Sequence, residues 1–161
     1  MAIDEHVLGA DEAAFFKEIW CKYVPLKVAV VREHPEPTPH LFFSYRVIYN
    51  IWLSCNNWIG NQGALPLEGM AHFHQHVLMC KSKKVNGMWK TIWFAKIWIV
   101  WLSRNAFIFN AKAIDVEEIC RLIKWKAWLW LRARVTTFKA SYYEWEIDPR
   151  YCLSMGVAAD R

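Results

Sequence analysis

Cysteine pairs at metal-binding spacing are missing from this sequence. Its five cysteines, Cys21, Cys55, Cys80, Cys120 and Cys152, are odd in number, far apart and never in a C-x-x-C pair. That argues against a disulfide framework and points to reduced thiols in an intracellular chain, cytoplasmic or nuclear. Glycine is also scarce, with six residues, too few and too scattered for a loop that cradles phosphate. No Ser/His/Asp or Cys/His arrangement stands in motif context, so nothing in the pattern points to an enzyme. The stretch from Met1 to His6 is acidic, where a secretion signal would be basic and then apolar. Internal repeats and low-complexity tracts are absent as well.

What is abundant is apolar and aromatic. Hydrophobic residues make up 55% and charged ones 22%, a balance that excludes disorder over most of 161 residues and suits one domain spanning 1–161. There are 11 Trp, 9 Phe and 6 Tyr. The densest stretch, Met88 to Asn110, holds four tryptophans, three phenylalanines and four isoleucines. At 100° per residue its apolar side chains cover nearly every direction, as in a helix wrapped on several sides. Lys90, Lys96 and Arg104 cut it into uncharged runs of at most seven residues. A membrane-spanning helix needs about 20 apolar residues, so no span is expected and the stretch reads as a central core helix.

The rest of the pattern is helical. Asp11 can cap a helix to Tyr23, with Phe16, Ile19, Trp20 and Tyr23 on one stripe. Residues 32–39 hold three prolines in five positions and form a loop. Thr38 and Pro39 then start a helix over His40 to about Cys55, and Pro66 opens another to about Cys80. A basic turn, Lys81 to Gly87, leads into the central stretch. Asp115, with Glu118 as its capping-box partner and Ile114 and Ile119 as a staple, starts the last long helix, expected to run to about Trp145. The tail 152–161 reads as loose. The fold class is therefore all-α: four or five helices around the Trp-rich central helix, the last two forming a long helical hairpin.

Three patterns in order carry a resemblance: Phe16, Ile19 and Trp20 before Pro25 and Leu26; His40, Leu41, Phe42 and Tyr45 before Ile51 and Trp52; and Trp98, Trp101, Arg104, Asn105, Ile108 and Phe109. Together they resemble the zinc-binding region at the C-terminal end of plant non-LTR (LINE-type) retrotransposon reverse transcriptases, over about residues 15 to 130. The resemblance implies a three-cysteine, one-histidine zinc site in intact relatives. Here His40 keeps the histidine position, Tyr45 stands where the closing cysteine belongs, and the C-x-x-C pair is missing, as though deleted near 32–39. A structural zinc needs four N or S ligands, so zinc is expected to be lost and the chain to carry no cofactor. The polymerase palm with its paired aspartates is also absent from the sequence.

Two further groups invite a functional reading. His72, His76 and Cys80 share one helical face; two could reach a metal, but the third is a turn too far, and a partly exposed histidine cluster is the plainer reading. On the last helix Arg121, Arg132 and Lys139 fall within about 20° of one another, with Trp125 and Trp128 beside them. Cations could neutralise phosphates there while tryptophan stacks on bases; the plainer alternative is a solvated face whose long stems cover aromatics. Lys81, Lys83, Lys84 and Lys90 form a second basic group, and the formal charge is +5. Arg104, inside the Trp-rich helix, is expected to pair with Glu117 or Glu118 across the hairpin. The expected partner is RNA or DNA; the alternative is a helical module that binds another protein through exposed aromatics. The broken ligand set predicts that purified protein holds clearly substoichiometric zinc by elemental analysis; tight stoichiometric zinc would refute that.

Overall fold

The computed structural model describes residues 46–66, 69–77 and 83–158. Within them lie six helices and no strand: α1 (Arg46–Trp58), α2 (Gly69–Val77), α3 (Lys83–Asn110), α4 (Val116–Arg134), α5 (Tyr142–Ile147) and α6 (Pro149–Ala158). The fold is all-α, as the periodicity requires. The expected Asp11 helix, the Pro-rich loop 32–39 and the Thr38 start of the second helix lie outside the described residues.

α3 is the axis. It packs most extensively on α4, and α2 and α6 also lie against it. Met88, Trp89, Ile92, Trp93, Phe94, Ala95, Ile99 and Val100 are buried. The helix begins earlier than the basic turn suggested, because Gly87 is taken into it and the Thr91 hydroxyl donates to the Gly87 carbonyl at 3.1 Å. From Val85 to Asn110 it is long and apolar enough, by length and composition, to cross a membrane. Its first half is covered by protein and carries the buried Lys96, whereas Leu102, Phe107, Ile108 and Phe109 near its end are exposed.

Both ends of the α1–α4 region are closed by identifiable local chemistry. α1 stops in a left-handed turn at Gly60, φ 71°. The Gly60 N–H donates to the Asn57 carbonyl at 3.0 Å and the Asn61 N–H to the Asn56 carbonyl at 2.8 Å, the paired bonds of a Schellman end. The Arg150 guanidinium of α6 donates to the Ile59 and Gly60 carbonyls at 2.7 and 3.0 Å, so the turn also anchors the C-terminal helix. Asp115 caps α4 as expected, accepting from the Glu117 and Glu118 amides at 2.9 and 3.2 Å. Glu118 turns its carboxylate to Lys112, 3.7 Å away. Among the described residues no ion pair joins Arg104 to Glu117 or Glu118, which corrects the expected bridge.

The last helix is shorter than its apolar pattern suggested. α4 stops at Arg134, where the Val135 N–H donates back to the Leu131 carbonyl at 2.8 Å. Val135, Thr136 and Thr137 are β-branched, which disfavours further helix, and Ser141 starts a new one through a complete capping box with Glu144. The Ser141 bonds also hold the Glu144 carboxyl below the usual carboxylate range. Residues 152–158 of the tail expected to be loose belong instead to α6, with Cys152 and Leu153 buried against the core; residues 159–161 lie outside the described residues. The α3–α4 hairpin is real, but two short helices follow it and fold back over it.

Between the hairpin arms, Ala111 adopts φ 51°, and the Lys112 N–H reaches back to the Ala106 carbonyl at 3.2 Å. A left-handed conformation costs an L-residue with a Cβ about 1–2 kcal/mol, and glycine is free of that cost. Ala111→Gly should therefore stabilise the chain by roughly 1 kcal/mol, read as a higher denaturant midpoint; a lower midpoint would contradict the assigned turn.

Candidate nucleic-acid interface

α4 has two faces. Ile119, Cys120, Ile123, Ala127 and Leu131 turn inward and are buried. Arg121, Trp125, Trp128 and Arg132, spaced 4, 3 and 4 apart, make the opposite stripe. The indoles of Trp125 and Trp128 stack with centroids 5.1 Å apart and planes 27° from parallel. Tyr142 of α5 meets both edge-on, at 5.0 and 5.8 Å. The Arg132 guanidinium lies 5.7 Å from the Trp128 ring centroid, as in a cation–π contact. Trp125 remains 41% exposed, presenting ring area to solvent.

Lys139 joins this group by a route that the helical wheel missed. It lies beyond the end of α4, in the return to α5, and the Arg132 Nη1 donates to its carbonyl at 3.3 Å. The Trp128 Nε1 donates to the next carbonyl along the loop, that of Ala140, at 3.0 Å. Trp128 and Arg132 thus hold the loop as well as lining the stripe; Trp128 is half-buried, while Arg121, Trp125, Arg132 and Lys139 are exposed. Tyr142 is the member that sequence reasoning missed; the signal was its place directly after the Ser141 cap. Its hydroxyl is raised above the ordinary phenol value by burial first and then by Glu146, with Arg121 acting in the other direction. The Glu146 carboxylate near the ring opposes an anion there, which limits how strongly this face can attract phosphate.

The other candidate groups fare differently. Of the second basic group, Lys90 lies over the Phe73 ring at 5.7 Å, on the α2 side; Lys81 and the side chains of Lys83 and Lys84 lie outside what the structure describes. His40 and Tyr45 lie outside the described residues, as does Cys80. Among the described residues, no group of three or more His, Cys, Asp or Glu is placed to hold a metal.

His72 and His76 are not partly exposed; both are buried between α2 and α3. The His76 Nε2–H donates to the Trp89 carbonyl at 2.8 Å, and Trp93 Nε1 donates to His72 Nδ1 at 3.4 Å. Burial lowers both pKa values, with Lys96 adding to it, His72 to about 3. These imidazoles are neutral packing groups.

No family model, curated protein or solved structure matches the chain.

The histidines generate a pH dependence with a definite sign. His72 binds its proton at about pH 3 folded but at about 6.5 when unfolded. Between those values the unfolded state holds more protons, so stability falls as pH falls. Lys96, lowered to about 8, is protonated in both states throughout this window and adds no slope. Denaturant melts should show stability declining from pH 6.5 to 5, and His72→Gln should flatten part of that decline. Equal slopes for the two chains would refute a neutral buried His72.

Proposed function

We propose that this chain is a non-catalytic remnant of the reverse-transcriptase zinc-binding region of a non-LTR retrotransposon polyprotein, retaining weak nucleic-acid binding along α4. The observation that carries the binding part is the stripe of Arg121, Trp125, Trp128 and Arg132 completed by Lys139. Cations spaced by stacked indoles suit a single strand: phosphates lie along the cations while a base stacks on the exposed Trp125 ring. A stacked base contributes affinity through its face and not its hydrogen-bonding edge, so the proposed binding is sequence-tolerant. The parentage rests on the ordered patterns around Trp20, His40 and Trp98, and the chain as proposed binds no zinc, works inside the cell and does not use α3 to span a membrane.

A second reading has its own support. Phe109 is 78% exposed, beside exposed Phe107 and Ile108 at the end of α3. Such a patch suits a helical module that binds another protein.

Salt separates the two. Fluorescence anisotropy with labelled single-stranded RNA and DNA should give an affinity that falls steeply as salt rises, with a log–log slope of about −0.7 per phosphate contact. Arg121→Ala/Arg132→Ala/Lys139→Ala should weaken binding further and flatten the slope, and Trp125→Ala should cost roughly tenfold, within the usual range for one stacked base. Undetectable or salt-insensitive binding would sink the nucleic-acid reading.

A further inference from the structure

One cluster inside the core has no part in the proposed binding face. Cys55 on α1 and Cys120 on α4 are 1% and 9% exposed, and the helices that carry them pack directly together. The Cys120 Sγ lies 4.0 Å from the Ile51 carbonyl, one turn before Cys55 on the same face of α1. Cys55 therefore stands on the face of α1 that Cys120 meets, and the interaction between the two thiols raises Cys55 and lowers Cys120. Lys96 of α3 closes the third side. Its Nζ donates to the Asn56 Oδ1 at 3.0 Å and lies 5.3 Å from the Trp52 ring centroid. Its charge acts on both sulfurs, as does that of Lys124. A buried ammonium beside a thiol favours the thiolate, the form that reacts.

We propose that Cys55 and Cys120 are an oxidisable pair that closes into a disulfide across the α1–α4 packing when the chain meets a peroxide. Cys120, the more exposed thiol, attacks first. Its sulfur bonds one peroxide oxygen, the O–O bond breaks, and the departing hydroxide leaves as water with the thiol proton. The Cys55 sulfur then attacks the sulfenic sulfur; the S–S bond forms, the S–O bond breaks, and a second water leaves. Two electrons pass from the thiols to the peroxide. The bond closes a loop that contains all of α2 and α3, and so fastens the first described helix to the hairpin. Cys152, buried under α6, has no thiol opposite it among the described residues and takes no part.

The test uses the full reduced chain. It is treated with hydrogen peroxide either folded or in guanidinium, blocked with N-ethylmaleimide under denaturing conditions, digested and weighed. In the folded arm a Cys55–Cys120 peptide lighter by two hydrogens should dominate over any other pairing, and Cys152→Ser should leave it intact. In guanidinium the pairings should scatter, because the fold no longer selects partners. Recovery of both residues as maleimide adducts from the folded arm would overturn the proposal. So would sulfinic acid on Cys120 beside an alkylated Cys55, or a crosslink of either cysteine to Lys96 carrying an added oxygen.

Discussion

Burying the Lys96 ammonium takes a full charge out of water in the middle of the most apolar helix of the chain. Desolvation lowers its pKa from 10.5 to about 8, equivalent to about 3 kcal/mol against the charged form. That cost is bearable only if the surroundings are fixed. Asn56 supplies an acceptor and Trp52 a ring face, both from α1. The Asn56 carbonyl meanwhile closes the Gly60 turn, and the carbonyls of that turn receive Arg150 from α6. One buried charge thus sets the register of α1 on α3, and the turn it depends on passes that constraint to the end of the chain. Replacing such a group by one that cannot use Asn56 would leave a buried acceptor unsatisfied, a penalty of about 1–3 kcal/mol.

The abundance of tryptophan has a related explanation. An indole offers a large apolar body and one N–H, which needs an acceptor when buried. Three of these N–H groups serve as ties between segments. Trp58 donates to the Glu146 carbonyl at 3.0 Å, Trp128 to that of Ala140 at 3.0 Å, and Trp145 to that of Lys124 at 2.9 Å. Each bond joins α1 or α4 to the short C-terminal helices or to the loop before them. Trp58 and Trp145 also meet edge-to-face at 5.2 Å, with Lys124 over the Trp58 ring at 5.5 Å. Short helices such as α5 are marginal on their own; here they are held by the polar ends of large apolar side chains.

Much of this was legible in the sequence, and the misses have specific causes. The central helix, the Asp115 cap and the inward stripe of α4 follow from periodicity and capping chemistry, because both are local. The end of α4 was missed because apolar residues continue past Arg134, and the helical period was followed through Val135, Thr136 and Thr137. Ser141 with Glu144 three residues later was a readable start signal on the same page of sequence. Lys96 was unreadable for a different reason. On a helix that is apolar all round, no wheel says which way a lone lysine faces; only the arrival of Asn56 from α1 decides it. His72 and His76 were misjudged in the same way, since their burial depends on α2 lying against Trp89 and Trp93 of α3.

The two faces of α4 place opposing demands on one helix. Its inner face carries Cys120, Ile123, Ala127 and Leu131 into the core, where small changes of volume are costly. Its outer face carries cations and indoles whose service to a ligand competes with their service to the fold. Trp128 and Arg132 are already engaged with the loop at Lys139 and Ala140. A strand that drew Arg132 away from the Trp128 ring would give up a cation–π contact worth about 0.5–1 kcal/mol at an exposed site, and would loosen the loop that carries Lys139. Arg121 and Trp125 carry no such obligation in the hydrogen bonding of the loop. On the proposed reading, a bound strand would therefore engage the N-terminal half of the stripe first and be held less well toward its end. That asymmetry is why the proposed binding is weak: the residues best placed to add contacts are the ones the fold can least release.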